Sequence, residues 1–177
     1  MDRIRFIRNP VLPQGWSLAD IMYCVPDFET RSTVDLRKTG VGPYAASEDT
    51  SILCLAWTYV KFTGEVSKVR LWLPGDEDPT DLFDYIEHGG IIYPHNVSFE
   101  RLIWKRICHD RLGWPDVPFD QWRCTLAACS RLALPRSLEA AGSAMGLSME
   151  KDKEGNRLML QLSKPKPAAR KKGLIEY

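Results

Sequence analysis

A strand-like segment that ends in two acidic residues constrains this chain more than any other feature. Residues 21–25 are β-branched, aromatic or apolar, which is typical of a buried strand. Asp27 and Glu29 occupy alternate positions after it, so we expect both carboxylates on one face and Phe28 on the other. Such a pair of acids repels itself unless a cation lies nearby, and Mg²⁺ accepts carboxylate ligands. The alternative is a solvated strand end that carries acids by chance.

The order of the remaining patterns predicts a mixed α/β fold. Residues 51–60 form the strongest strand pattern, and residues 66–73 predict a third strand close behind it. Three strands with short links favour an antiparallel meander. Residues 32–50 contain Gly40, Gly42 and Pro43 and are predicted to be a loop.

Helix patterns dominate the second half of the chain. Helices are predicted over residues 79–88, 98–112, 126–134 and 137–145, with short strands at residues 90–93 and 119–125. Strands joined by helical crossovers lie parallel in one sheet. The sequence therefore predicts a mixed five-stranded sheet with helices on both faces.

A second group of polar residues lies where the fourth predicted strand meets a helix. Glu100 falls in the first turn of that helix, where the helix dipole favours a carboxylate, so a simple capping acid is one interpretation. Asn96 or Ser98 suits the N-cap. Parallel neighbouring strands would bring this helix start beside Asp27 and Glu29. Three converging acids would favour a metal site.

Composition sets wide bounds on function. The 177 residues suit one domain, and a net charge of +1 gives no global signature of a nucleic-acid binder. The charge is uneven, however, with net +5 over residues 151–177 and net −4 before them. Such a basic tail would suit a phosphodiester substrate, although a solvated tail is the alternative.

Cysteine spacing and hydropathy indicate the compartment. The five cysteines form no C-x-x-C pair, which favours buried thiols in a reducing compartment over disulfides or zinc. We find no signal-peptide pattern and no apolar run long enough to span a membrane. The expected location is the cytoplasm of a bacterium or of a phage-infected host.

The two acidic motifs together resemble a known family. Asp27-Phe28-Glu29-Thr30 resembles D-x-E, the first motif of the DEDD 3′–5′ exonucleases, and residues 96–100 (NVSFE) resemble their second motif, N-x-x-F/Y-D. The resemblance to the proofreading exonuclease domain of phage-type family A DNA polymerases extends over most of residues 27–177, through DFETRSTVDLRKTGVGPYAASEDTSILCLAWTY, HNVSFERLIW, CTLAACSRLALPRSLEAAGSAMGL and KDKEGNRLMLQLSKPKP. Glu100 departs from the family pattern, which has Asp at that position in many members.

The resemblance implies a ribonuclease-H-like fold and a division of the chain. Pro10, Pro13 and Gly15 indicate an irregular N-terminal leader over residues 1–20, and residues 21–177 would be the exonuclease domain. Tyr177 resembles the first residue of the family's third motif, Y-x-x-x-D, so the domain is expected to be truncated within that motif and to be a weak or inactive nuclease by itself.

The resemblance also implies a mechanism, namely hydrolysis of the 3′-terminal phosphodiester of DNA with two Mg²⁺ or Mn²⁺ ions. Metal ligands would be Asp27, Glu29 and Glu100, and Tyr177 would orient the attacking water. Thr30 and Asn96 would contact the 3′-terminal nucleotide or brace the acids. The expected partners are a single-stranded DNA 3′ end and a polymerase domain in the parent chain, with no membrane.

Three functional hypotheses follow from the sequence. The first is the proofreading exonuclease of a DNA polymerase, and the second is a stand-alone DEDD exonuclease acting on DNA or RNA. The third is a non-catalytic module that keeps the fold for nucleic-acid or protein contacts.

Overall fold

A computed structural model describes residues 12–147 and 152–163 of the chain. Three strands form its sheet: β1 (Ile21–Arg31), β2 (Ser51–Lys61) and β3 (Arg70–Trp72). The α-helices of this part are α1 (Leu36–Thr39), α2 (Val41–Ala46), α3 (Thr80–Glu87), α4 (Val97–Ile103), α5 (Thr125–Arg131), α6 (Leu138–Ala144) and α7 (Lys153–Leu162). The fold class is thus mixed α/β, as predicted.

The sheet is antiparallel in the order β1-β2-β3, which confirms the predicted meander. In the register of β1 and β2, Asp27 pairs with Ala56 and Glu29 with Cys54. An irregularity of the register falls between Glu29 and Thr30. Both candidate acids of β1 therefore lie on regularly paired backbone, just before this irregularity.

In the described residues the sheet has three strands instead of the predicted five, because the fourth and fifth predicted strands are reduced to single bridges. Ile92 bridges Cys24 of β1 and Trp122, in parallel in both cases. Pro26 lacks the N–H that would extend the first of these pairings, and Pro94 lacks the N–H that would extend the second. Residues 119–121 form a 3₁₀ turn after Pro118 instead of a strand. The predicted parallel direction is present, but the ladders are one residue long.

The predicted helices are found at slightly different bounds. The helix predicted over residues 98–112 is α4 followed by a π-helical segment at Trp104–His109. The loop predicted over residues 32–50 was wrong, since it contains α1 and α2. Pro43 is tolerated in the first turn of α2, where N–H groups have no intrahelical partner. The helix α7 was not predicted, and Asp152 caps it by accepting from the N–H groups of Glu154 and Gly155.

A buried cluster joins the three strands to α2, α3, α4 and the π-helical segment. Tryptophans dominate it: Trp114 contacts Trp72 and Trp104, with ring centroids 4.8 and 5.5 Å apart. All five cysteines are free, as predicted. In the described residues no helix has the length and apolar character needed to cross a membrane.

Gly90 lies where a side chain has no room. A Cβ placed there would be 2.3 Å from a ring carbon of Tyr85. We expect Gly90→Ala to lower the free energy of unfolding by about 1–3 kcal/mol, because overpacking forces the ring or the backbone to move. Gly42→Ala in α2 is the control, since no atom lies within 4 Å of its added methyl group. Urea denaturation measures both, and a wild-type midpoint for Gly90→Ala would contradict the close packing.

Candidate active site

The acids of β1 alternate with buried residues. Asp27 is exposed, Phe28 is buried and Glu29 is half-buried. The ring of Phe28 packs edge-on against Trp104, with centroids 6.2 Å apart. Because successive side chains point to opposite faces of a strand, Asp27 and Glu29 lie on one face of β1 and Phe28 lies on the other.

Glu100 lies in the first turn of α4, and its side chain is buried with only 4% exposed. Its Oε2 atom is fully buried and has no hydrogen-bond partner in the described part of the chain. Burying a charged carboxylate is costly, so burial raises the pKa of Glu100 to about 8, although a backbone hydrogen bond opposes the rise. The metal-free group is therefore mostly protonated at pH 7.

Asp27 and Glu100 lie close enough to influence each other's charge. The negative charge of Asp27 adds to the raised pKa of Glu100, after the larger effect of burial. The Asp27 side chain reaches solvent, but partial burial by the surrounding protein still raises the pKa of Asp27. The nearby His95 opposes that rise. The start of α4 thus lies beside the end of β1, as the order of elements predicted.

Cys54 of β2 is close enough to both acids of β1 for their charges to affect its thiol. Burial raises the pKa of this thiol, and the charges of Glu29 and then of Asp27 raise it further. Glu29 pairs directly with Cys54 across the sheet. The two carboxylates therefore flank one half-buried thiol.

Thr30 and Asn96, the predicted contacts to substrate, differ in exposure. Thr30 is buried, with its hydroxyl 2.8 Å from the hydroxyl of Tyr44. Asn96 is exposed and left-handed, with φ 62° and ψ 57°, a conformation that asparagine tolerates better than most residues. It occupies the N-cap position of α4, but its side chain makes no capping hydrogen bond. Their roles stay predictions.

His95 is a residue of this site to which the sequence assigned no role. Its Nδ1 lies 2.9 Å from Oγ1 of Thr125, and its Nε2 lies 3.0 Å from the carbonyl oxygen of Arg136. The imidazole thus joins the turn before α4 to α5 and to the loop before α6. The only sequence signal was its place next to Asn96 in the second motif.

The structure relates the carboxylates of Asp27, Glu29 and Glu100 in pairs and does not form a single three-carboxylate site. Asp27 is coupled to Glu100, and Asp27 and Glu29 both act on Cys54. Within residues 12–147 and 152–163, no three His, Cys, Asp or Glu side chains form a group arranged to hold a metal ion. Tyr177 lies outside the described residues. The donors that are present are carboxylate oxygens, the ligand type that Mg²⁺ and Mn²⁺ prefer, and the unpartnered Oε2 of Glu100 fits a cation.

Comparison with known proteins gives one informative relative. Over 140 residues, 78% of this chain, the sequence is 33% identical to a protein named DNA polymerase from Bacillus phage SP02. The chain is related to a phage DNA polymerase. The matched region spans 20% of the length of that polymerase. No protein-family model matches the chain.

Proposed function

We propose that this chain is a 3′–5′ exonuclease domain of a DNA polymerase, with a proofreading role and a ribonuclease-H-like ancestry. The observation that carries the proposal is the buried carboxyl of Glu100 near Asp27, whose Oε2 atom has no hydrogen-bond partner in the described residues. The relation to a phage DNA polymerase supports the same assignment. Strongly perturbed acids that converge from a strand end and a helix start are common at functional sites.

The proposed cofactors are two Mg²⁺ or Mn²⁺ ions, which when bound would activate a water and stabilise the leaving 3′ oxygen. Asp27, Glu29 and Glu100 would hold them through carboxylate oxygens. Glu100 must release its proton to become a ligand, so its burial links metal binding to pH.

The remaining residues hold the acids and the DNA end. His95 would fix the turn that carries Asn96, through its contacts with Thr125 and the Arg136 carbonyl. The exposed amide of Asn96 is available to the 3′-terminal nucleotide, whereas the buried hydroxyl of Thr30 suits the bracing role. The proposed substrate is a single-stranded DNA 3′ end.

A nuclease assay on a version of this chain that carries all three family motifs tests this proposal. We expect a 5′-labelled single-stranded DNA to shorten one nucleotide at a time when Mn²⁺ or Mg²⁺ is present, because a 3′–5′ exonuclease removes terminal nucleotides. The same DNA with a blocked 3′ end should stay intact. EDTA should stop the reaction.

Other outcomes would point to the other hypotheses. DNA binding in gel shift without metal-dependent shortening would contradict an exonuclease and favour the non-catalytic module. Faster shortening of RNA than of DNA would contradict the proofreading assignment and favour a stand-alone exonuclease. Internal cuts in the blocked DNA would show an endonuclease instead.

A further inference from the structure

The short helix α2 contacts both elements that carry the candidate acids. It lies in the segment between β1 and β2, and it packs against α4. Its residue Tyr44 is buried, with 6% of its surface exposed. The side chain of Tyr44 contacts β1 with its hydroxyl and α4 with its ring.

The hydroxyl of Tyr44 fixes β1 directly after the acid pair. It lies 2.8 Å from Oγ1 of Thr30, and both side chains are buried. Thr30 follows Glu29 at the irregularity of the β1–β2 register. Since Thr30 points to the face opposite Glu29, Tyr44 approaches from behind the acids.

The ring of Tyr44 reaches the start of α4. It packs against Phe99 with ring centroids 6.2 Å apart and an interplanar angle of 39°. Phe99 directly precedes Glu100 in the first turn of α4. One side chain therefore contacts the residue next to Glu29 and the residue next to Glu100.

The carboxyl end of α2 is bound by Arg111, which follows the π-helical segment after α4. Arg111 donates from Nη1 to the carbonyl of Thr50 at 2.9 Å and from Nη2 to the carbonyl of Ser47 at 2.8 Å. A longer contact of 3.4 Å reaches the carbonyl of Ala45. A guanidinium at the carboxyl end of a helix is favoured by the helix dipole. The position of Tyr44 is thus fixed along the helix as well as by its own contacts.

We propose that Tyr44 is a positioning residue that sets the separation between the acids of β1 and Glu100 of α4. It would act through its contacts with Thr30 and Phe99, and the proposal rests on the proposed function only for what the separation serves. Two ions about 4 Å apart require their ligands to be held tightly, and residues that orient metal ligands commonly change metal affinity tenfold or more.

The test compares Tyr44→Phe with Tyr85→Phe in the full chain. Each variant removes one hydroxyl from a buried tyrosine. The Tyr85 hydroxyl does not contact Thr30 but accepts a hydrogen bond from the backbone N–H of Ile91, with an N···O distance of 2.9 Å. We expect Tyr44→Phe to weaken Mn²⁺ binding by about tenfold, measured by electron paramagnetic resonance. It should lower kcat more than it raises KM for DNA. Tyr85→Phe should leave Mn²⁺ affinity unchanged at a similar loss of thermal stability.

Hydrogen exchange of the metal-free protein gives a second readout that does not depend on nuclease activity. We expect Tyr44→Phe to speed amide exchange at the end of β1 and in the first turn of α4, and Arg111→Met to do the same. If exchange and Mn²⁺ affinity are both unchanged in Tyr44→Phe, the inference is wrong. If exchange changes as expected but the wild type binds no Mn²⁺, the positioning link stands and the proposed exonuclease fails. Equal losses of Mn²⁺ affinity in Tyr85→Phe would show a general stability effect and overturn the inference.

Discussion

Replacing Asp27 by asparagine is expected to reduce 3′–5′ exonuclease activity about a thousandfold or more. The substitution keeps the shape of the side chain and removes its charge. The proposed metal site then has a neutral amide oxygen at this position, which is a weaker ligand than a carboxylate. Because Asp27 interacts electrostatically with Glu100, one change affects the environment of both groups. The measurement is the single-turnover rate on 3′-labelled single-stranded DNA with Mn²⁺.

The matched control for Asp27→Asn is Asp84→Asn. Asp84 is an exposed acid in α3, outside the candidate site, so its substitution should leave the rate unchanged. Asp27→Asn should also fold as well as the wild type, since burial disfavours the charged form of Asp27 and asparagine is neutral. A near-normal rate for Asp27→Asn would mean that the measured nuclease acts at another site or comes from a contaminant. Unfolding of Asp27→Asn, seen by circular dichroism, would contradict this expectation.

Residues whose roles depend on local pattern were predictable from the sequence. The apolar run before Asp27 and the strong strand at residues 51–60 formed β1 and β2 in the expected antiparallel pairing. Helix α3 followed from its Pro79 start and its Gly89-Gly90 stop. In each case the local period, the flanking turn residues and the burial pattern agree.

The predictions that failed depended on tertiary packing. Gly40, Gly42 and Pro43 indicate a loop, yet the segment forms α1 and α2, because Tyr44 and Ala45 are buried in the core. The strand predicted at residues 119–125 became a 3₁₀ turn and one bridge at Trp122. Short segments of this kind take their conformation from neighbours distant in sequence.

The candidate site divides in the same way. The spacing of Asp27 and Glu29, the helix position of Glu100 and the proximity of Asp27 to Glu100 could be predicted from the sequence, whereas a convergence of all three acids on one metal site stays a prediction. The contact of His95 with the carbonyl of Arg136 joins residues 41 positions apart, and no local pattern indicates it. The depth at which Glu100 is buried was equally hidden, since a first-turn acid is usually a solvated cap.

Glu100→Gln is expected to stabilise the metal-free protein by about 3 kcal/mol at pH 7. The folded pKa of Glu100 is about 8, raised from an ordinary value of 4.5 mainly by burial. Below pH 4.5 both the folded and the unfolded states hold the proton, so the group contributes nothing to the pH dependence. Between pH 4.5 and about 8 only the folded state holds it, so unfolding releases a proton and stability falls as pH rises. Glutamine stays neutral and removes this loss.

Urea denaturation of the metal-free protein from pH 5 to pH 8.5 measures the effect. The gap between Glu100→Gln and wild type should be small at pH 5 and should widen by about 1.4 kcal/mol per pH unit until pH 8. Glu139→Gln is the matched control, because Glu139 also lies in the first turn of a helix but is exposed. A gap that is independent of pH would show that Glu100 is ionised in the folded protein.

Mn²⁺ should narrow the difference in stability between Glu100→Gln and the wild type. A cation bound to the ionised form of Glu100 offsets the cost of burying its charge, so saturating Mn²⁺ at pH 8 should stabilise the wild type by more than it stabilises Glu100→Gln. The stabilisation of the wild type should also grow as pH rises from 6 to 8, since the ion competes with the proton of Glu100. Equal Mn²⁺ effects on the two proteins would separate Glu100 from the metal site while leaving its raised pKa intact. The same titration therefore distinguishes an acid that is merely buried from one that is buried in order to bind a cation.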